Sequence, residues 1–205
     1  METKKDYRLP VRSDGKKTFE KIVQTAERLF SEAGYFGTSI NEIIAESEIA
    51  TGTFYLYFND KKALYLYLID YYGNQITTTI REAIKGANNR YEAEKEGLKA
   101  FLLYAMHNPI SYRIFWEAIY VDLDVFKNYY QNFSKRYISG LKRGVGDGEV
   151  REDIDLETMS YVLMGISNFV GLQVLFNDDA NEETIDYLTE ETMRILRCGI
   201  FANLC

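Results

Sequence analysis

Proline is almost absent from this chain. Of its 205 residues only Pro10 and Pro109 are proline, so little interrupts long helices. Cysteine is equally scarce. Cys198 and Cys205 are too few and too late for a disulfide framework or a thiolate metal cluster, and a reducing compartment fits. The one histidine, His107, has no Cys–His or Ser–His–Asp neighbourhood in sequence, which argues against nucleophilic or acid–base catalysis. No run of eighteen apolar residues occurs, so no membrane span is expected. The opening METKKDYRLPVRSDGKK lacks the apolar stretch of a signal peptide. Nothing repeats, nothing is of low complexity, and no alternating pattern long enough for a useful strand appears. These absences lead to the expectation of a soluble, cytoplasmic, all-α protein with no metal, no cofactor and no catalytic site.

Rings are what the chain has in excess. Seventeen Tyr and twelve Phe mean a large amount of buried or ligand-facing ring surface. Charge is unevenly placed. Residues 1–65 carry ten Lys/Arg and ten Asp/Glu, so the net −7 belongs to residues 66–205. Within the neutral part, Lys4, Lys5, Arg8, Arg12, Lys16 and Lys17 cluster at the start and Lys61 and Lys62 at the end, which are positions suited to phosphate contacts. Residues 4–12 taken by themselves read as a solvated basic tail.

Helical spacing divides the chain into about nine helices. In 17–33, Phe19, Ile22, Val23, Ala26, Phe30 and Ala33 fall on one face, and Gly34 reads as a glycine stop. Thr38 reads as the N-cap of a second helix buried through Ile40, Ile43 and Ile44. Glu48 and Ile49 sit in a turn, and a third helix runs from about Ala50 to Tyr57, with Ile49, Phe54 and Phe58 facing the core. Asp60 caps a long fourth helix, 61 to about 86. A fifth follows over about 91–107, broken at Asn108–Pro109. The sixth spans 110–121. Asp122 or Asp124 caps the seventh, to about 144. GVGDGEVRED at 144–153 is a loop. Asp155 caps the eighth, 156 to about 176, and the ninth covers 182–203.

The most informative segment is TSINEIIAESEIATGTFYLYFNDK, residues 38–61. Two short helices and a tight turn suit a helix-turn-helix over about 39–58, whose second helix enters the major groove. Its third-helix surface offers Thr51, Gly52, Thr53, Tyr55 and Tyr57 rather than Lys and Glu. Thr and Gly permit close approach to base edges, and Tyr has reach for phosphate. GYFGTSINEIIAESEI at 34–49 and TGTFYLYFNDKKAL at 51–64 resemble the DNA-binding domain of the TetR family of transcriptional regulators. The resemblance is specific over 17–68 and architectural beyond. It implies phosphate contacts from Thr38, with Ser39 beside it, and from Tyr57 and Lys61. It also implies groove-facing positions at Thr51, Gly52, Thr53, Tyr55 and Leu56, and a base-reaching position at Asn41. Two departures stand out: many members have Ser where this chain has Ala50, and Lys where it has Thr51. Ala50 cannot cap the third helix, and the lost Lys removes one electrostatic contact.

Two further surfaces follow. A ring-rich block includes Tyr104, Tyr112, Phe115, Trp116, Tyr120, Tyr129, Tyr130 and Phe133. Most such rings belong to a core, yet a ring-lined cavity with a few polar tips is also what a small-molecule site looks like. The resemblance implies an effector pocket among helices four to eight, to which His107, Asn168 and Leu172 are added. His107 also suits a structural place at a helix C-terminus, and Glu117 suits an i,i+4 pair with Arg113. Helix eight, apolar almost all round and containing Gly165 and Gly171, needs cover on its outer side. A second copy could supply it, and the resemblance implies a four-helix interface with helix nine. The interface candidates are Met159, Leu163, Gly165, Ile166, Val170, Leu188 and Ile195, and Ile200 and Phe201 extend the apolar side of helix nine.

The expected organisation is a reading head over 1–62 and an effector-binding and dimerisation domain over 63–205. The expected function is a homodimeric repressor, bound to double-stranded operator DNA and released by a largely apolar effector. An activator without effector and a small all-α enzyme using the aromatic cavity are the rivals. The YRIFWEAIYVD run at 112–122 resembles fatty-acid regulators that sense acyl thioesters, and a multidrug sensor fits equally.

Overall fold

The computed structural model describes residues 6–198. Among these the chain is helical, with one isolated antiparallel bridge between Tyr7 and Phe58. The helices are α1 (Ser13–Gly37), α2 (Ile40–Glu46), α3 (Thr51–Tyr57), α4 (Lys61–Ala83), α5 (Arg90–His107), α6 (Pro109–Val121), α7 (Leu123–Gly146), α8 (Leu156–Leu175) and α9 (Glu182–Cys198). A 3-10 turn, Ile84–Gly86, follows α4. All-α architecture is therefore the fold. The part of the ninth helix expected beyond Cys198, with Ile200 and Phe201, lies outside the described residues, as do Lys4, Lys5 and Cys205.

Caps account for most helix starts. Asp60 accepts from the Ala63 N–H at 2.7 Å, Asp122 from Val125 at 3.0 Å and Asp155 from Thr158 at 2.8 Å. Asn89 does the same for α5 through Glu92, at 2.8 Å. The second helix corrects one expectation. Its N-cap is Ser39, not Thr38. Ser39 and Glu42 form a capping box, at 3.2 Å and 2.7 Å, which satisfies two otherwise orphaned N–H groups. Thr38 is instead only 3% exposed; its hydroxyl donates inward, 2.9 Å from the Gly34 carbonyl and 3.2 Å from that of Leu29. Gly34 does break the first helix, at φ 75° and ψ 172°, but one more helical turn carries the element to Gly37. The helix also begins earlier than expected, at Ser13.

Contacts divide the chain into two compact units. One joins the residues up to Gly73 to Ile110–Lys127. Its core buries Phe19, Ile22, Phe30, Ile43, Phe54, Phe58, Leu64 and Tyr65. Here α6 is tied to the end of α1: Glu117 accepts from the Tyr35 N–H at 3.0 Å and pairs with Arg113 at 3.6 Å, while Arg113 donates to the Ser31 carbonyl. Tyr65, fully buried, donates to the Ile114 carbonyl at 2.6 Å.

The other unit joins Asn74–Pro109 to the residues from Asn128 on. Its core is Leu98, Leu102, Val174, Ile185 and Leu188, where α5 packs on α8 and α9. Ser134 and Ser160, both buried, hydrogen-bond between α7 and α8 at 2.7 Å. Helix α8 is long and apolar enough to cross a membrane by length and composition alone.

Candidate nucleic-acid interface

The two-helix segment forms as a helix-turn-helix. Ile43 and Ile44 bury α2, and Phe54 buries α3. At seven residues each, neither helix would persist alone in water; tertiary packing holds them. The turn passes through Glu48 in a left-handed conformation, φ 51°. A non-glycine residue there carries backbone strain. Lys21, 2.6 Å from its carboxylate, holds Glu48 in place, and that partner keeps the carboxyl below its ordinary pKa. Ser47, fully buried, donates to the Ile43 carbonyl and closes the end of α2.

The outer surface of α3 is short-chained and uncharged. Thr51, Gly52, Tyr55 and Leu56 are exposed, and Thr53 is half-buried. A Cβ at Gly52 would meet nothing within 4 Å, so the surface there is open to an approaching base edge. Ala50 stands at the N-cap without a side-chain bond, and Thr51 does not replace it. On α2, Ser39 and Asn41 are exposed.

Three of the residues expected at phosphates are already engaged inside the protein. Thr38 is buried, as above. The Tyr57 hydroxyl donates to the Gly15 carbonyl at 3.3 Å, and its ring packs edge-on to Phe19. Lys61 donates from Nζ to the carbonyls of Tyr35 and Thr38, both at 2.6 Å, and lies over the Tyr35 ring. Burial holds its ammonium pKa below the ordinary lysine range.

Comparison with known proteins bears on this segment. Residues 22–68 match the family described as bacterial regulatory proteins, tetR family. Over those residues the chain is similar to the tetR family. YerO of Bacillus subtilis, an uncharacterized HTH-type transcriptional regulator, is 29% identical over 169 residues, covering 79% of this chain and 57% of YerO. The chain thus spans little more than half of that relative's length. Among solved structures, a regulator assigned to the tetR family from Syntrophomonas wolfei superposes with TM-score 0.76 at 24% identity, covering 92% of this chain and 98% of that one. FadR of Bacillus subtilis, in complex with stearoyl-CoA, gives TM-score 0.73 at 18% identity, covering 89% and 100%.

The ring-rich candidates separate between the two units. In the second, Tyr104 is buried and donates to Gln75 at 3.1 Å. Tyr129, Tyr130 and Phe133 are half-buried along α7, with ring centroids 5.3 Å and 6.5 Å apart. Burial raises the phenol pKa of both tyrosines. Asn168 donates to the Met164 carbonyl at 2.8 Å, Leu172 is half-buried, and His107 is exposed. In the first unit, α6 buries Tyr112 and half-buries Phe115, whereas Trp116 and Tyr120 are exposed, the latter at 79%. Among the described residues no group of His, Cys, Asp and Glu could hold a metal.

The candidate dimer residues differ in how the chain itself buries them. Leu163 and Leu188 are each 8% exposed and buried in the chain's own core, and Val170 packs against that core. Met159, Gly165 and Ile166 are half-buried, and Ile195 is exposed. The large apolar or aromatic residues that α8 and α9 leave exposed are Tyr161, Val162, Phe169, Tyr187 and Ile195. Phe176, just past α8, is exposed as well. A helix apolar all round gives no phase in sequence, so which stripe faced inward could not be read there.

Proposed function

We propose that the chain is a homodimeric repressor whose α3 reads operator DNA and whose second unit binds a largely apolar effector that releases it. In this reading, residues 1–62 are the reading head and 63–205 the effector and dimerisation domain. The supporting observation is the uncharged, short-chained surface of α3, held out by a buried Phe54 and open over Gly52. Thr51, Thr53, Tyr55 and Leu56, with Asn41 and Ser39 of α2, supply hydroxyl, amide and apolar contacts to base edges. The effector site is built from Tyr104, Tyr129, Tyr130, Phe133, Asn168 and Leu172. Its burial of an acyl or aromatic group is favourable by roughly 25 cal/mol per Å². The stearoyl-CoA held by FadR supports a long acyl chain as the occupant. Two copies meet through the outward apolar residues of α8 and α9. The protein works in the cytoplasm, where its DNA is.

Selection of duplexes from a random pool, followed by gel-shift titration, tests the DNA reading. Wild-type protein enriches a two-fold-related sequence, and Thr53→Ala changes which base is preferred at one position per half-site. Enrichment of no sequence, or identical preferences for both proteins, would overturn it.

A further inference from the structure

A DNA-binding head needs positive charge, because phosphate contacts dominate affinity. Helix α3 has no charged side chain. The cations of its surroundings are spent on the protein itself. Lys61 serves two carbonyls, Lys62 pairs with Asp122 at 2.6 Å, Lys21 with Glu48 at 2.6 Å, and Arg28 with Glu32 and Glu46. Besides Lys61, four basic side chains among the described residues of the head make no ion pair: Arg8, Arg12, Lys16 and Lys17. All four are exposed. Asp6 and Asp14 share their segment, which leaves a positive surplus there.

These side chains are not on a loose tail. Residues 6–8 run antiparallel to 57–59, at the C-terminal end of α3. The Arg8 N–H donates to the Tyr57 carbonyl at 2.8 Å, and the Asn59 N–H donates to the Asp6 carbonyl at 3.3 Å. Tyr7 is seated by its ring against Tyr67 at 5.2 Å and by its hydroxyl on Asp70 at 2.7 Å. Beyond the arm, the Tyr57 hydroxyl holds the Gly15 carbonyl in the first turn of α1. The arm is thus fastened to the end of α3 on both sides. In extended backbone, neighbouring side chains point to opposite faces, so seating Tyr7 inward turns Arg8 outward.

We propose that residues 6–12 and the start of α1 are a built phosphate-binding surface for double-stranded DNA, contacting it through Arg8, Arg12, Lys16 and Lys17. The Tyr7–Phe58 bridge sets the position of this surface relative to the reading helix. The inference rests on the DNA-binding reading above and names where its electrostatic attraction comes from.

The test uses the full chain. Wild type, R8A/R12A and Tyr7→Ala are titrated by fluorescence anisotropy with the selected operator and a scrambled duplex, between about 50 and 200 mM salt. For R8A/R12A, binding weakens on both duplexes alike. The slope of log affinity against log salt becomes shallower by about two, close to one unit for each lost phosphate contact. Tyr7→Ala keeps every charge but loosens the arm, and it too weakens binding to both duplexes. Tyr7→Phe, which keeps the ring seat, stays near wild type. Circular dichroism melts of R8A/R12A match wild type, since both side chains are exposed. If wild type prefers its operator while R8A/R12A keeps the wild-type affinity and slope, the arm proposal fails and the DNA reading stands. If wild type shows no preference for any duplex, both fall.

Discussion

Gly34 shows how one residue sets the entry to the reading head. Its φ of 75° with ψ of 172° lies in a region essentially reserved for glycine. The turn it makes exposes the Tyr35 N–H to Glu117 and the Tyr35 and Thr38 carbonyls to Lys61. A Cβ at Gly34 would stand 2.5 Å from Glu117 Oε1. Gly34→Ala therefore carries backbone strain of roughly 1–3 kcal/mol and displaces the carboxylate as well. Urea titration of this variant should show a lowered midpoint at unchanged slope; an unchanged midpoint would contradict the account. The glycine stop was legible in the sequence, since a glycine ending an apolar helical stripe signals such a turn. The inward direction of Thr38 was not. Thr38 and Ser39 are adjacent hydroxyl residues, either able to cap, and only the capping box with Glu42 distinguishes them. Likewise nothing in the residue types shows that Lys61 spends its protons on carbonyls.

At the scale of elements, helix number and most boundaries followed from apolar spacing and aspartate caps at Asp60, Asp122 and Asp155. Long-range pairing did not: the bridge between Tyr7 and Phe58 joins segments fifty residues apart with no local pattern, so the arm read as a tail. The same limit applied to α8. Leu156–Leu175 is apolar almost all round, and the inward stripe through Leu163 and Val174 emerges only with α5 and α9 in place. This split separates two substitutions. Leu163→Ala opens the chain's own core and lowers stability by about 2–5 kcal/mol. Phe169→Glu, at a side chain 66% exposed, abolishes the proposed dimerisation. Light scattering across a concentration series checks the second outcome. A Phe169→Glu protein that remains dimeric would place the interface elsewhere.

For the whole molecule, the division of labour follows the division of charge and rings. Residues 1–65 are neutral and 66–205 carry the net −7. An acidic balance in the larger part discourages non-specific contact with DNA, and the proposed reading assigns the electrostatic attraction to the arm. In the proposed reading, the rings of α7, with Tyr104 of α5, are the surface where an acyl chain gains by burial. A ligand acts on DNA binding only if it favours one arrangement of the protein over another. The central claim is that DNA affinity and effector binding are coupled in this way. Titration of wild-type protein with its selected operator, in the presence and absence of stearoyl-CoA, measures that coupling directly. The account predicts operator affinity reduced about five-fold to 150-fold by the acyl thioester, the usual range of such couplings. Affinity that is identical with and without saturating acyl thioester, across chain lengths, would contradict it.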